Sequence, residues 1–163
     1  MKSLSNASRV YLIPGEFDLL AEVHYDDLVF ANHEKKIGEL ILNGIRSIDH
    51  VVDTRTITPI ESTVSKSSRE STDAFVFIQI QPGKAKETLR RLKELPEVKA
   101  VHLVFGEADL FVQLQINSAS ATQPMMASII QDRIASVRWI SDIETVIPFL
   151  ELRQYAQLGL PAN

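Results

Sequence analysis

The chain has 163 residues, a formal net charge of -4, a pI near 5.6, 45% hydrophobic residues and no cysteine. That length holds one ordinary domain or two small ones, and the apolar content calls for a packed core rather than disorder. The missing cysteines exclude disulfides, Cys-ligated zinc and thiol nucleophiles, and the acidic balance argues against a general polyanion binder, which needs clustered Lys and Arg.

The first nine residues, MKSLSNASR, are polar and contain nothing like the apolar core of a signal peptide. No apolar run reaches the roughly 18–20 residues that span a bilayer, so the chain reads as soluble and cytoplasmic. A strand is predicted from Arg9 to Pro14, then a turn at Gly15, then a second strand from Asp18 to His24. β-Branched and aromatic residues around a central Gly are a hairpin pattern. Ile37, Leu40, Ile41, Ile45 and Ile48 recur at helical spacing, and HVVDTRTITPI (50–60) predicts a third strand. ESTVSKSSREST (61–72) is Ser/Thr-rich and charged, the composition of a linker.

The pattern then thickens. DAFVFIQIQ (73–81) predicts an apolar strand closed by Pro82-Gly83, and KAKETLRRLKEL (84–95) a helix closed by Pro96. Strands follow from Lys99 to Phe105 and from Asp109 to Ile116, on either side of Gly106. Met125, Ile129, Ile130, Ile134 and Val137 mark one face of a helix whose start is signalled by Ser120, Thr122 and Pro124. WISDIETVIPFL (139–150) predicts the last strand, and RQYAQLGLPAN (153–163) a fraying extension.

Two stretches of this series are alike. VYLIPGEFDLLAEVH (10–24) and VHLVFGEADLFVQLQ (101–115) align at an offset of 91, so Gly15 meets Gly106, Glu16 meets Glu107 and Asp18 meets Asp109. At an offset of 89, Ile41 meets Ile130, Ile45 meets Ile134, Ser47 meets Ser136, Thr56 meets Thr145 and Pro59 meets Pro148. The second copy is β-α-β-β-α-β, a ferredoxin-like α+β arrangement with spatial strand order 4-1-3-2. The first copy lacks the leading strand and helix and is a partial ββαβ repeat. Residues 1–60 are therefore expected to form the partial repeat, 61–72 a linker, 73–152 the complete domain and 153–163 an extension. Without its first strand the partial sheet has an open slot with unpaired backbone groups. A strand from elsewhere could fill it, the flanking strands could close up as a parallel pair, or another chain could complete it.

The strand ending in Pro-Gly-Lys, the leucine-rich basic helix followed by Pro-Glu-Val, the Gly-x-x-Asp-Leu turn and the late Thr before the closing strand together resemble the effector-binding (RAM) domain of the Lrp/AsnC regulators. The resemblance runs from about Ala74 to Leu152, and Val10 to Pro59 resembles its second half. It implies a non-enzymatic domain that binds an amino acid or related small effector at subunit interfaces and forms dimers or higher homo-oligomers. It also implies a role in transcriptional or metabolic regulation, with full-length Lrp/AsnC regulators as possible partners. The helix-turn-helix of complete regulators is not seen ahead of the RAM-like part, so direct DNA binding is not expected. No membrane partner, cofactor, metal or catalytic residue is implied.

The resemblance places the effector pocket beside Gly106, Glu107, Ala108 and Asp109, with His102 as a neighbouring adjustable position equivalent to Tyr11. Gly15, Glu16 and Asp18 form the equivalent turn of the partial repeat. The same residues also serve a plain hairpin, the Gly supplying a tight turn and the Asp capping loop N–H groups. Phe17, bulky where Ala108 is small, suggests that the first turn is filled. Lys84, Lys86, Arg90, Arg91 and Lys93 read as a solvated helix face interleaved with Glu87 and Glu94 rather than a nucleic-acid stripe. The four histidines show no metal-ligand spacing. An RNA-recognition strand would need more aromatics than the single Phe111 of DLFVQLQIN. A ligand-free interaction module and a small dimeric α+β barrel enzyme remain the alternatives.

Overall fold

The computed structural model describes residues 7–23, 37–64, 72–116 and 122–153. In chain order its elements are β1 (Ala7–Leu12), β2 (Leu19–Val23), a π-helical turn (Leu40–Ile45), β3 (Pro59–Val64), β4 (Ala74–Ile80), α1 (Ala85–Lys93), β5 (Val98–Val104), β6 (Leu110–Leu114), α2 (Gln123–Ile129), a second π-helical turn (Ile130–Ile134), β7 (Ile140–Val146) and β8 (Leu150–Arg153). They fall into two compact units, Ile57–Pro148 and Met1–Thr56 with Phe149–Asn163.

The larger unit holds a five-stranded antiparallel sheet in the order β3-β5-β6-β4-β7. Leaving out β3, this is the 4-1-3-2 order of a ferredoxin-like α+β module. The residues dictate it by period two. Ala74, Val76, Ile78 and Ile80 of β4 join Leu110, Val112 and Leu114 of β6 and Val98 and Val101 of β5 in one core. Leu89 and Leu92 of α1, with Ile130 and Ile134 of the second π-helical turn, close that core from above. Phe75, Phe77 and Gln79 alternate with the core residues and so lie on the other face of β4.

The smaller unit holds a three-stranded sheet in the order β2-β1-β8. At an offset of 91, every Cα pair of β1–β2 has a counterpart in β5–β6, from Leu12↔Leu19 and Leu103↔Leu110 to Ala7↔Val23 and Val98↔Leu114. The irregularity between Ala7 and Arg9 matches that between Val98 and Ala100. At an offset of 89 the helical regions agree in detail. The Arg46 N–H donates to the Ile41 carbonyl at 2.8 Å, and the Ala135 N–H to the Ile130 carbonyl at 2.8 Å, both i→i+5 bonds. His50 (φ 73°) and Trp139 (φ 80°) then take the same left-handed conformation. Plain α-helices were expected at both places. In each, a Ser hydroxyl turns back onto the preceding turn, Ser47 to the Asn43 and Gly44 carbonyls and Ser136 to those of Asp132 and Arg133. Such back-bonding distorts helices.

Three expectations need correction. The strand predicted over 50–60 is irregular from Val51 to Thr58. Its counterpart, β7, is a strand because it pairs with β4, and among the described residues the smaller unit has no equivalent of β4. The Arg46 guanidinium instead ties this segment locally, its Nε donating to Thr54 Oγ1 at 3.0 Å. Second, the linker expected over 61–72 begins with the last four residues of β3, where Glu61, Ser62, Thr63 and Val64 pair with Leu103, His102, Val101 and Ala100. The open edge of β5 recruited a polar segment whose Thr and Val suit a strand. Residues 65–71 lie outside the described residues. Third, the closing strand expected over 139–150 breaks after Val146. Its continuation, β8, leaves the expected 73–152 domain and pairs with β1. Of the expected extension, Arg153 belongs to β8 and residues 154–163 lie outside the described ones. The open slot is neither filled nor closed up among the described residues. There, β8 joins the far side of β1, and no strand pairs with the free edge of β2.

The missing strand shows in burial. Leu110 is 0% exposed, whereas Leu19, its counterpart, is 55% exposed. Urea unfolding should find Leu110→Ala destabilising by ~2–5 kcal/mol and Leu19→Ala by no more than ~0.5 kcal/mol. Similar losses at both positions would contradict the contrast.

Candidate functional site

The turn after β5 starts from Gly106, whose φ of 131° strains any side chain placed there. The Val104 N–H donates to the Asp109 carbonyl at 3.0 Å and closes the loop. The turn is then fastened to the end of β4 at three points. The Asp109 N–H donates to the Ile78 carbonyl at 2.9 Å. Asp109 Oδ2 accepts the Ile80 N–H at 2.9 Å, and Gln79 Nε2 donates to the Glu107 carbonyl at 3.0 Å. Asp109 is thus a backbone cap for β4 with one carboxylate oxygen used. Gly106, Glu107 and Asp109 are exposed and Ala108 half-buried, so the turn is open to a solute.

The first turn keeps the loop and loses the fastening. The Ile13 N–H donates to the Asp18 carbonyl at 2.9 Å, as in the second turn, and Gly15 has φ 118°. Among the described residues, no strand stands here in the place of the one that Asp109 caps. Arg55 lies 5.0 Å over the Phe17 ring and 3.6 Å from Glu16 Oε2.

His102 sits on the face of the sheet opposite the helices. Cross-strand registers line up Glu144, Phe77, Phe111, His102 and Ser62 in one row across β7, β4, β6, β5 and β3. Phe77 and Phe111 have centroids 5.0 Å apart, Phe75 stacks on Phe111 at 5.6 Å, and the His102 ring is 5.9 Å from Phe111. His102 Nδ1 lies 2.8 Å from Ser62 Oγ. The histidine is therefore engaged along this row rather than with the turn. Burial holds its imidazole below its usual pKa.

Sequence reasoning passed over a buried polar group. Lys99, Thr72, Gln113 and Gln115 are all nearly inaccessible, and Lys99 Nζ lies 3.2 Å from Thr72 Oγ1. The available signal was polar residues within otherwise apolar strands, VKAV and FVQLQI, where a buried polar group needs partners. The basic helix face is charge-paired as expected, Arg90 with Glu94 at 2.6 Å and Arg91 with Glu87 at 3.2 Å. Trp139 lies beneath two cations, Lys84 Nζ at 4.5 Å and the Arg138 guanidinium at 4.2 Å. Among the described residues, no helix is long and apolar enough to cross a membrane, and no three His, Asp or Glu residues are grouped to hold a metal ion.

A family model described as the Lrp/AsnC ligand binding domain matches residues 73–158, more than half of the chain. An uncharacterized HTH-type transcriptional regulator of Pyrococcus horikoshii is 26% identical over 86 residues, covering 51% of this chain and 55% of that protein. The chain thus spans about half the length of the curated relative it matches. Among solved structures, one described as FFRP-DM1 is 27% identical with a TM-score of 0.41, covering 47% of this chain and 97% of its own. Escherichia coli AsnC is 18% identical with a TM-score of 0.40, covering 74% and 70% respectively.

Two measurable effects arise from this geometry. Asp109→Ala should cost about 1–2 kcal/mol through the uncapped Ile80 N–H, and Asp18→Ala close to nothing, as read from denaturant midpoints. With its pKa lowered in the folded state, His102 stays neutral there while the unfolded chain takes up a proton first. Stability should therefore fall as pH drops below about 6.5, the unfolded imidazole value, until the folded histidine also titrates. Thermal melts at a series of pH values should show this slope, and His102→Gln should flatten it.

Proposed function

Because the chain belongs to the Lrp/AsnC ligand-binding domain family, we propose that it is a non-enzymatic regulatory protein that senses a small effector, an amino acid or a close relative. The observation that carries this reading is the family match over the one complete module, β4 to β7. The Gly106–Asp109 turn is the proposed contact. Asp109 Oδ2 is committed to Ile80, and Oδ1 is left to pair with an α-ammonium. Backbone N–H groups of an exposed Gly turn suit a carboxylate. His102, on β5 before the turn, adjusts the neighbouring face. We further read the matching registers of β1–β2 and β5–β6 as an internal duplication in which only the second copy is complete.

The chain acts in the cytoplasm, on this reading, as a dimer or larger homo-oligomer, or in mixed assemblies with full-length Lrp/AsnC regulators. It contacts DNA through them and not by itself. The pairing of Arg90 and Arg91 with Glu94 and Glu87 supports this, because paired cations make a poor phosphate surface. A ligand held by the assembled folded state shifts the population toward that state.

Thermal denaturation against the common amino acids tests the proposal. One chemical class should raise the melting temperature, by the equivalent of ~2.7 kcal/mol at a hundred times its dissociation constant. Asp109→Asn keeps an oxygen for the Ile80 N–H and removes the charge, so it should fold normally and lose the response, while Asp18→Asn keeps it. If no amino acid changes the melting temperature or the hydrodynamic size, the effector reading fails.

A further inference from the structure

The smaller unit carries a docking place shaped for one kind of partner. β2 pairs with β1 along one edge, and among the described residues nothing pairs with the other. Edge strands are usually guarded by Lys, Pro, a bulge or a covering element. β2 reads Leu-Leu-Ala-Glu-Val, and the register irregularity of its hairpin lies at the far end, between Ala7 and Arg9. The face of this edge is bare too. Leu12 and Leu19, opposite each other across β1 and β2, are 40% and 55% exposed, apolar surface that a solvated face does not need.

The larger unit shows what covers such an edge. The counterpart of β2 at an offset of 91 is β6, whose free side is taken by β4 running antiparallel, with Leu110, Val112 and Leu114 opposite Ile78, Val76 and Ala74. The Leu114 carbonyl accepts the Asp73 N–H, so Leu110, Val112 and Leu114 turn their backbone groups to β4 by period two. Their counterparts Leu19, Ala21 and Val23 turn theirs to the open edge. Two further features wait for the same strand. Asp109 caps the Ile80 N–H at the end of β4, and Asp18 stands at the equivalent place with no such strand to cap. Residues 51–57 match β7, which is a strand only through its pairing with β4, and they are irregular.

We propose that the free edge of β2 receives, from a second polypeptide, an extended strand and following amphipathic helix patterned like residues 74–93, completing the smaller unit as β4 and α1 complete the larger. The incoming strand runs antiparallel to β2. It presents small or branched apolar residues at alternate positions toward Leu19, Ala21 and Val23, and gives Asp18 a backbone N–H near its end. On its other side it draws residues 51–57 into a strand. The helix after it covers Leu12 and Leu19. This rests on the register match and not on the effector reading, and its test involves no small ligand.

The probe is a fluorescently labelled peptide of residues 73–95, titrated against the full chain, with a composition-matched peptide of scrambled order as control. Anisotropy should show saturable binding of the first peptide only. Ala21→Pro removes an N–H that faces the open edge while sparing the bonds to β1, a place where an edge strand tolerates proline, and should weaken binding at least tenfold. Asp18→Ala should weaken it several-fold with the fold unchanged. Bound peptide should slow amide exchange at residues 19–23 and at 51–57 together. The proposal is overturned by absent binding to the folded chain, by equal binding of the scrambled peptide, or by indifference to both substitutions. It is also overturned if the edge is used by a second copy, seen as a dimer that Ala21→Pro dissolves and the peptide does not disturb.

Discussion

The structure turns on β4. It joins the β5–β6 hairpin to the closing strand, pairing with β6 on one side and β7 on the other, and its inward residues Ala74, Val76 and Ile78 are fully buried. The consequence of its absence is visible in the smaller unit, where a similar sequence folds without it. The hairpin forms, with the same register, turn and irregularity, because its bonds are local. The helical region forms, down to its i→i+5 bond and left-handed exit. The closing strand does not form, because a strand exists only as half of a pair. The hydrophobic face exists in sequence, yet Leu12 and Leu19 stay exposed where Leu110 is buried, with no strand pairing the free edge of β2 among the described residues. Local signals thus build the parts, and one non-local strand decides whether they make a core.

Both sheets also gain a strand from outside the pattern, and they gain it in the same way. β3 comes after the first helical region in the chain and pairs with β5; β8 comes after the second and pairs with β1. The registers coincide under the same offsets. Leu12↔Leu150 corresponds to Leu103↔Glu61, and Tyr11↔Glu151 to His102↔Ser62. Each unit thus protects the outer edge of its hairpin with the strand that trails the other unit's helical region. Outer edges left bare invite aggregation. The exchange moves these edges out to β3 and β8 and leaves the edge of β2, which corresponds to the edge that β4 covers in the larger unit.

Much of this was legible in the sequence. The offset of 91 identified which residues occupy equivalent turns, and period two within AFVFIQI and DLFVQL identified which face enters the core. The basic helix read correctly as a paired surface, since Glu87 and Glu94 stand at helical spacing from Arg91 and Arg90. Pairing partners were not legible. ESTV carries a linker's composition and becomes most of β3, because the edge of β5 lies open to it, and such an edge does not appear in local composition. HVVDTRTITPI carries a strand's composition and stays irregular from Val51 to Thr58 for want of a partner. The turn was half legible. Gly106 and Asp109 were found as a pair, yet the fastening of Asp109 to Ile80 depends on two strands meeting 29 residues apart. The buried Lys99 was passed over because a lone lysine in a strand usually marks its solvent face.

These relations bear on what counts as a domain here. A cut between 65 and 71, where composition invites it, would leave β3 on the fragment without β5, and β8 on the fragment without β1. Each fragment would lose one edge strand while keeping its hairpin and helical region. The losses would not be equal. The larger unit keeps β4, and with it the buried core of Val76, Ile78, Leu110 and Val112. Of its sheet the smaller keeps only the β1–β2 hairpin, and a two-stranded hairpin is marginal in water by itself. The same strand that completes the core therefore sets which half can stand alone. Among the described residues, β8 is the one strand the smaller unit adds to that hairpin, as the partner of Arg9, Val10, Tyr11 and Leu12. Glu151 lies 3.9 Å from Arg9 across this pairing, and Tyr11, fully buried in β1, is held between strands on both sides. The chain's last described strand is thus a structural requirement of its first.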